Sequence, residues 1–311
     1  MNPNNIVIGI DTSAYTTSLA AINRQGEVLL DIKRLLEVPL GTRGLRQSDA
    51  RTQHHQNLIQ MSALLDEQLD LTQIGAVAVS DKPRPVEGSY MPVFIDGVEF
   101  GAKLANRLNV PLFYFSHQEG HIEAVKHFTQ LKDTEKLLCF HLSGGTSELL
   151  LVDEGTVSII GGSKDLAFGQ LIDRVGVALG MGFPAGQQMD LLAYGADATT
   201  NWLKPIPIQN LEFNLSGIET QCQRRILEGV SAEQLIPELF FRISKCLWKV
   251  SEASFKTFNL KEILMVGGVS ASRTVRDYLK QNMKNGRAHF GMFSSDNAVG
   301  IALLGGNKLW R

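Results

Sequence analysis

The sequence predicts a two-lobed α/β protein, and three observations support that prediction. The chain has 311 residues, and at roughly 100–200 residues per domain this length suggests two lobes. Short β-branched runs alternate with stretches of helical spacing, as in layered α/β folds. Both halves also begin with the same pattern. A buried strand leads into a turn of small hydroxyl residues, and two further strands follow the turn. This weak repeat favours two similar lobes facing each other across a cleft, each offering one hairpin turn to a phosphate chain.

The first half begins with a strand meander. The β-branched run from Ile6 to Ile10 ends at Asp11-Thr12-Ser13, which is typical of a buried strand. Two further apolar runs, separated by the turn residues 23–26, complete an antiparallel set of three strands. Beyond it, we expect helices over 47–70 and 97–107 and strands over 76–80 and 110–115.

The second half starts near Leu137 with the same kind of hairpin. We expect its strands at 138–142, 148–152, 157–160 and 263–266, and its main helices at 171–181 and 232–257. A last helix follows Asp296. The expected division is an N-terminal lobe of residues 1–131, on which the helix 296–311 packs, and a C-terminal lobe of residues 132–295. A helical crossing between the lobes is expected near 117–131.

Composition and charge exclude several classes of protein. Lys plus Arg total 30 and Asp plus Glu 32, for a net charge of −2, which does not support broad electrostatic capture of nucleic acid. The three cysteines are far apart and form no C-x-x-C, so we expect reduced core thiols in a cytosolic protein. The N-terminus has no signal-peptide pattern, and no apolar run is long enough to span a membrane.

Two histidines stand out in the segment Ser116-His117-Gln118-Glu119-Gly120-His121. Ser116 and Glu119 have the spacing of a capping box, so a helix should begin here. His117 and His121 then lie one turn apart on one face, and two imidazoles at that spacing can share one metal ion. The alternative is a pair of solvated or capping histidines. The other adjacent pair, His54-His55, points to opposite sides of a polar helix, and we expect it at the surface.

A third metal ligand must come from elsewhere in the chain. Asp296 is a candidate, although an Asp before an apolar helical run is also an ordinary helix cap. Two histidines and a carboxylate with open positions suit iron or zinc that also binds a substrate oxygen. A closed structural site would need a fourth protein ligand.

Two glycine-rich turns are candidates for binding a nucleotide. The loop Ser143-Gly144-Gly145-Thr146-Ser147 lets backbone N–H groups and hydroxyls approach phosphate oxygens, although Gly-Gly in a hairpin is more often only a turn. The turn Gly267-Gly268-Val269-Ser270 precedes a helix and could take a nucleoside at its N-terminus. Walker, G-x-S-x-G and H-E-x-x-H motifs are absent from the sequence, so the sequence excludes a Walker-type NTPase.

The order of the motifs resembles one family over residues 6 to 308. The chain is similar to the TsaD family, the tRNA threonylcarbamoyl-adenosine transferases once called glycoproteases. The motifs that carry this resemblance are Gly9-Ile10-Asp11-Thr12-Ser13, His117-Gln118-Glu119-Gly120-His121, Ser143-Gly144-Gly145, Phe213-Asn214-Leu215-Ser216-Gly217, Gly267-Gly268-Val269-Ser270-Ala271 and Ser295-Asp296-Asn297-Ala298.

The resemblance implies a fold and an activity. The fold is the actin/Hsp70-like (ASKHA) fold of two ribonuclease-H-like domains. The activity is transfer of a threonylcarbamoyl group from its adenylate to N6 of adenosine 37 in tRNA, assisted by one divalent metal ion, iron or zinc. The implied metal ligands are His117, His121 and Asp296. The implied contacts to an adenine nucleotide or the adenylate are Ser143, Gly144, Gly145, Thr146, Ser147, Asp173, Gly186, Asp190 and Ser272.

The chain also departs from the family pattern. The family's Cys-Asp-Glu is Ala14-Tyr15-Thr16 here, so an acid that could assist proton transfer is missing. A family asparagine is Ser272, and a lysine of the bacterial enzymes is Glu219. The family's glycine-containing T-x-G-P-G loop is Ser80-Asp81-Lys82-Pro83-Arg84-Pro85. We therefore assign no catalytic residue from the sequence.

Three functional hypotheses follow from this mixture. The first is a TsaD-like acyltransferase, and the second is a diverged paralogue that binds metal and nucleotide as a regulatory or scaffold protein. A metalloprotease, suggested only by the family's old name, ranks last because the chain has no H-E-x-x-H. The resemblance implies tRNA and TsaB- and TsaE-like partners in the cytoplasm, and a dimer through the N-terminal lobe is a further expectation. Basic residues at 43, 46 and 51, and at 82, 84, 224 and 225, are more typical of scattered surface charge than of RNA-binding patches.

Overall fold

The structure is a computed structural model that describes residues 5–39, 44–198, 200–295 and 297–310. These residues form two units. The first unit contains the described residues of 5–38, 44–128 and 297–310, and the second contains residue 39 and the described residues of 129–295. Asp296, the expected third metal ligand, lies outside the described residues.

The first unit is built on a mixed sheet that starts with the expected meander. Its strands are β1 (Ile6–Thr12), β2 (Thr16–Asn23), β3 (Val28–Leu35), β4 (Ile74–Lys82) and β5 (Leu112–Ser116). Among the described residues the strand order is β3-β2-β1-β4-β5, with β1, β2 and β3 antiparallel and β4 and β5 parallel to β1. Every residue of β1 is buried, as expected for the central strand of a sheet that is covered on both faces.

Two helices cover one face of this sheet, and a third follows its last strand. They are α1 (Gln47–Gln68), α2 (Phe94–Leu108) and α3 (His117–His127). Leu58, Met61 and Leu65 of α1 pack with Ile8 and Ile10 of β1 in one buried core. The helical spacing expected over 47–70 corresponds to α1, and apolar residues at that spacing are the ones that pack on the sheet.

The second unit has a larger sheet that opens with the repeated hairpin. Its strands are β6 (Lys136–Leu142), β7 (Ser147–Asp153), β8 (Thr156–Ser163), β9 (Ile208–Gln209), β10 (Glu212–Phe213), β11 (Glu262–Val266) and β12 (Arg287–Phe290). The order in the described residues is β12-β11-β6-β7-β8-β10-β9. β11 runs parallel to both β6 and β12, so the carboxyl ends of these strands meet at one edge.

The helices of the second unit pack around a core rich in aromatic side chains. They are α4 (Phe168–Ala178), α5 (Gly186–Ala193), α6 (Ser216–Leu227), α7 (Ala232–Phe258) and α8 (Arg273–Asn282). Phe140 of β6 is fully buried with Phe168, Phe213 and Phe240. The free cysteines Cys139, Cys222 and Cys246 are also buried, which agrees with the expected core thiols. No helix in the described ranges is long and apolar enough to cross a membrane.

The last helix, α9 (Val299–Leu309), belongs to the first unit. Glycines bring its backbone against the elements beneath it. A Cβ on Gly9 of β1 would lie 2.6 Å from the backbone nitrogen of Ala302, and a Cβ on Gly300 would lie 2.6 Å from the carbonyl carbon of Gly120 in α3. The helix that carries the histidine pair is thus in backbone contact with α9.

Candidate functional site

The histidine pair lies where β5 passes into α3. Ser116 Oγ accepts a hydrogen bond from Glu119 N at 3.2 Å, and Glu119 Oε2 accepts one from Ser116 N at 2.8 Å. The expected capping box is therefore present. Because Ser116 is fully buried, the first turn of α3 has a fixed place at the end of the strand.

His117 and His121 point at each other within this turn. Their Nε2 atoms lie 3.0 Å apart, and their ring centroids lie 4.4 Å apart in an edge-on arrangement. Two nitrogens at this separation can share a proton, or they can direct their lone pairs to one cation that has ligand distances of about 2.0–2.1 Å. The donor set and its spacing fit a metal ion of the iron or zinc type.

Asp11 at the end of β1 orients His117. Its two carboxylate oxygens lie 2.9 and 3.0 Å from His117 Nδ1, and it is fully buried. Ser80 Oγ of β4 donates a hydrogen bond to Asp11 Oδ1 at 2.5 Å. With a proton on Nδ1, the lone pair of His117 is on Nε2, which is the arrangement found in carboxylate–histidine–metal sites. Asp11 belongs to a sequence motif, but its contact with His117 is visible only in the folded structure.

The described residues contribute no set of three His, Cys, Asp or Glu side chains arranged to hold a metal ion. The expected third ligand, Asp296, is outside those residues. The alternative interpretation of Asp296 was a helix cap. In the structure its neighbour Asn297 provides this cap. Asn297 Oδ1 accepts hydrogen bonds from Val299 N at 3.0 Å and Gly300 N at 3.3 Å, so α9 begins on an asparagine cap.

The candidate phosphate loop of the second unit is an open turn. Ser143 Oγ accepts a hydrogen bond from Thr146 N at 3.1 Å, and Ser147 Oγ accepts one from Phe168 N at 2.8 Å. Gly144 and Gly145 are exposed, and a Cβ on either would meet no atom within 4 Å. The turn is therefore fixed at both ends while its two glycines face open space.

The loop is also pressed against the start of α4. A Cβ on Gly169 would lie 2.5 Å from the carbonyl oxygen of Ser143 and 2.6 Å from Gly144 Cα. Glycine at this position lets the helix N-terminus lie directly behind the turn, where helix N–H groups favour anions.

The remaining nucleotide candidates form two pairs. Asp173 Oδ1 accepts a hydrogen bond from Ala185 N at 2.8 Å and also bonds Gly186, and burial raises the pKa of this carboxyl. Asp190 receives hydrogen bonds from Ser272 Oγ at 2.5 Å and from the backbone of Arg273 at 2.8 Å. Asp190 thereby connects α5 to the start of α8, and the hydroxyl of Ser272, which replaces a family asparagine, donates its hydrogen bond to that carboxylate.

The positions that depart from the family pattern have local partners. Glu219 forms an ion pair with Arg174 at 3.3 Å, and Thr16 is buried with its backbone bonded to Ser13. Among the basic residues, Arg51 pairs with Asp96 at 2.7 Å and Arg225 with Glu228 at 2.6 Å. Arg43 lies outside the described residues. These ion pairs agree with the interpretation of ordinary surface charge.

The expectation for His54 was wrong. His55 is exposed, but His54 is fully buried, because the β1–β2 hairpin supplies partners for both of its ring nitrogens. Nε2 lies 2.8 Å from the carbonyl oxygen of Ser13, and Nδ1 lies 2.8 Å from Thr17 Oγ1.

Comparison with solved structures supports the expected fold. The full-length HypF structure in its phosphate- and nucleotide-bound form matches with a TM-score of 0.64 at 10% identity, over 99% of this chain and 56% of that one. A component of the (R)-2-hydroxyglutaryl-CoA dehydratase of Acidaminococcus fermentans matches with a TM-score of 0.59 at 13% identity, over 98% and 99% of the two chains. A ROK family glucokinase from Streptomyces griseus gives 0.54 at 12% identity, over 96% and 98%. The ASKHA fold predicted from the sequence is confirmed.

Sequence comparison identifies the family. The model described as TsaD, tRNA N6-adenosine threonylcarbamoyltransferase, matches residues 40–303. An enzyme of that name from Sulfurihydrogenibium sp. is 29% identical over 96% of this chain and 89% of its own. A probable bifunctional tRNA threonylcarbamoyladenosine biosynthesis protein from Methanothermobacter thermautotrophicus is 26% identical over 96% of this chain and 55% of its own. The chain therefore belongs to the TsaD family of tRNA N6-adenosine threonylcarbamoyltransferases.

Proposed function

We propose that this chain transfers a threonylcarbamoyl group from its adenylate to N6 of adenosine 37 in tRNA. Family membership supports an acyltransferase that acts on tRNA. The observation that carries the finer proposal is the His117–His121 pair with Asp11 behind it. A buried carboxylate that orients one of two converging imidazoles is typical of a metal-binding histidine.

The proposed reaction is an acyl transfer. The lone pair of N6 attacks the carbonyl carbon of the carbamoyl phosphate anhydride and forms a C–N bond. The bond from that carbon to the phosphate oxygen breaks, AMP leaves with the electron pair, and N6 loses a proton to solvent. AMP is a stable leaving group, so activation of the carbonyl is the main task of the protein.

Residues of the first unit provide the metal site in this proposal. His117 and His121 would hold one divalent ion, with Asp296 as the third ligand that the family resemblance implies. When bound, an iron or zinc ion supplies Lewis-acid polarisation of an oxygen of the acyl donor. Asp11 keeps the proton of His117 on Nδ1, and Ser80 holds Asp11 in place through its hydrogen bond. Thr16 replaces the family acid and supplies no carboxylate for proton transfer.

Residues of the second unit would bind the adenylate. The exposed glycines of the Ser143–Ser147 turn leave room for phosphate oxygens, with the N-terminus of α4 behind them. Backbone donors in such a turn suit an anionic group. We propose Asp173, Gly186, Asp190 and Ser272 as the further contacts or supports of the nucleotide.

A specific observation also favours the second candidate, a paralogue that binds metal and nucleotide without transfer. Asp190 accepts hydrogen bonds from Ser272 and from the first turn of α8, and Glu219 is paired with Arg174. Ser272 and Glu219 are positions where the chain departs from the family. Their polar groups are used in contacts within the protein rather than left for a substrate. In that case the protein would act as a regulatory or scaffold component.

One reconstitution separates the two candidates. Metal-loaded protein is mixed with an unmodified tRNA that reads codons beginning with A, with the threonylcarbamoyl-adenylate and with TsaB- and TsaE-like proteins, which we propose as partners. Modified adenosine is measured by mass spectrometry after nuclease digestion. Product formation supports the transferase, whereas fully metallated protein that gives no product would establish the binding paralogue instead.

The metal part of the proposal needs a readout besides activity. His121→Ala should lose bound iron or zinc, measured by elemental analysis of the purified protein, and it should lose product in parallel. His55→Ala removes an exposed histidine of α1 and serves as the matched control. Equal metal content in the two variants would rule out the histidine site. Because the proposed substrate is tRNA, we also propose a cytoplasmic location. The dimer through the N-terminal lobe, expected from the sequence, stays a prediction.

A further inference from the structure

A basic groove lies at one edge of the second unit, away from the residues proposed to bind the adenylate. Its volume is about 480 Å³, and it is lined by Lys261, Glu262, Lys284, Asn285, Gly286 and Arg287. These residues stand at the amino-terminal ends of β11 and β12. The Ser143–Ser147 turn and the Gly267–Ser270 turn follow the carboxyl-terminal ends of β6 and β11. The five residues of β11 separate the two edges by roughly 15 Å, at about 3.3 Å per residue.

The backbone of the groove is held in place by the protein itself. Glu252 of α7 accepts hydrogen bonds from Lys284 N at 2.7 Å and Asn285 N at 3.3 Å. Arg287 N donates to the carbonyl oxygen of Lys261 at 2.7 Å. A Cβ on Gly286 would lie 2.5 Å from that same oxygen, so glycine is required for the loop to reach the strand. The backbone positions that carry the cationic side chains are therefore fixed relative to one another.

The lining of the groove carries three cations and one carboxylate, so its formal charge is positive. Lys261, Lys284 and Arg287 are exposed, and within the described part of the chain none of them forms an ion pair. The carboxylate of Glu262 is paired with His289 at 2.5 Å. Burial raises the pKa of Glu252, but hydrogen bonds from the 284–285 loop outweigh it and lower the pKa overall. Glu252 is therefore an anion behind the loop, with its oxygens occupied by those donors rather than by the three cations. Three free cations in one groove are notable in a chain whose net charge is −2, because they concentrate positive potential at one place.

The lining identifies the chemistry of the occupant. Two ammonium groups and a guanidinium suit phosphate oxygens. Among the described residues, no aromatic or aliphatic side chain lines the groove, so none of them forms an apolar wall for a nucleobase. A ligand held only by phosphate contacts on an open surface is a polyanionic backbone rather than a free nucleotide.

We propose that the basic groove binds the phosphodiester backbone of the tRNA substrate. The inference rests on the proposed function for the identity of the RNA. The groove would position tRNA by contacts that do not read its sequence, and the chemistry would take place elsewhere on the chain. Backbone contacts of this kind set affinity and register rather than specificity.

The test removes the three cations and compares the loss with a matched control. The groove variant is Lys261→Gln/Lys284→Gln/Arg287→Gln. The control variant, Lys103→Gln/Lys132→Gln/Lys308→Gln, removes the same charge from exposed lysines that form no ion pair in the described residues. Thermal unfolding of both variants establishes that they remain folded. Affinity for an unmodified tRNA transcript is measured by fluorescence anisotropy between about 50 and 200 mM salt.

The groove variant should bind tRNA about tenfold or more weakly at low salt, and its slope of log affinity against log salt should fall by about two to three. The control variant should stay within about twofold of the parent, since it leaves the groove intact. Equal affinity and slope in the groove variant and the parent would overturn the proposal. Equal losses in the two variants would also overturn it, because the effect would then be one of total charge.

A second arm separates RNA from free phosphate compounds. AMP binding, measured by calorimetry, should be unchanged in the groove variant. If that variant lost AMP binding and retained tRNA binding, the groove would be a free-nucleotide site and the proposal would fail. If the triple substitution unfolds the chain, the single Arg287→Gln variant should lower the salt slope by about one. These are equilibrium measurements, so a protein that forms no product but shows groove-dependent tRNA binding would refute the proposed function alone.

Discussion

The two hairpin turns of the molecule have the same hydrogen-bonded frame in different surroundings. In the first unit, Ser13 N donates to Thr16 O at 3.0 Å, and Ser13 Oγ accepts from Thr16 N at 3.2 Å. In the second unit, Ser143 N donates to Thr146 O at 2.8 Å, and Ser143 Oγ accepts from Thr146 N at 3.1 Å. The repeat that the sequence suggested is thus present in individual hydrogen bonds.

The surroundings differ because two polar side chains of α1 cover the first turn. In the first unit, His54 of α1 bonds both the carbonyl of Ser13 and the hydroxyl of Thr17, and Asn57 adds a hydrogen bond to Thr17 at 3.0 Å. In the second unit, Gly144 and Gly145 face open space. A duplicated turn can therefore be a buried structural joint in one unit and a candidate ligand loop in the other. The side chains that surround the frame determine which role it has.

The largest expected effect comes from removing the histidine that buries the first turn. We expect His54→Ala to lower the free energy of unfolding by about 3 kcal/mol, because it leaves a cavity and deprives a buried carbonyl and hydroxyl of partners. Chemical denaturation measures the change. His55→Ala, on the exposed side of α1, should change stability by less than about 0.5 kcal/mol. Equal effects of the two substitutions would contradict the assignment of His54 as a buried joint.

The second expected effect concerns the contact between α4 and the second turn. Gly169→Ala places a Cβ about 2.5 Å from the Ser143 carbonyl oxygen, and backbone atoms cannot move aside cheaply. We expect a loss of about 1–3 kcal/mol in the free energy of unfolding. Gly182→Ala is the matched control, because a Cβ there meets no atom within 4 Å. A neutral Gly169→Ala variant would show that the turn is not pressed against the helix.

Apolar patterning predicted the frame of both units. The β-branched run at 6–10 and the apolar spacing of 47–70 correspond to β1 and α1, because burial of one face requires these periods. Polar partnerships could not be predicted in this way. His54 bonds a carbonyl 41 residues away, and Asp190 bonds a serine 82 residues away, so their partners depend on the tertiary fold.

Asp11 shows the same limit within the candidate metal site. Its position at the end of a buried strand was visible in the sequence, and acids in that position often have a role at the carboxyl edge of a sheet. Its contacts, however, come from β4 and α3, which are 69 and 106 residues away along the chain. The spacing of His117 and His121, by contrast, is a property of one helical turn and could be predicted locally.

The role of His54 in burying the first turn can also be tested through the pH dependence of stability. Burial lowers the pKa of His54, so the unfolded chain binds a proton at higher pH than the folded chain does. The stability from neutral His54 is therefore complete above its unfolded pKa, about 6.5, and is lost as the pH falls below that value. Unfolding free energies of the parent should decrease more steeply than those of His54→Gln as the pH falls through that range. Parallel curves would show that His54 does not carry this pH dependence.

The smallest effect on stability, and the most direct test of the open turn, is expected for Gly144→Ala. A Cβ at Gly144 meets no atom of the described residues within 4 Å, so the free energy of unfolding should change by less than about 0.5 kcal/mol. The same methyl group would occupy space that phosphate oxygens need if the turn binds the adenylate. We therefore expect weaker AMP binding by calorimetry, whereas Gly182→Ala, with an equally open Cβ position, should bind AMP like the parent. Unchanged AMP affinity in Gly144→Ala would mean that the open turn, like the buried one, has a structural role only.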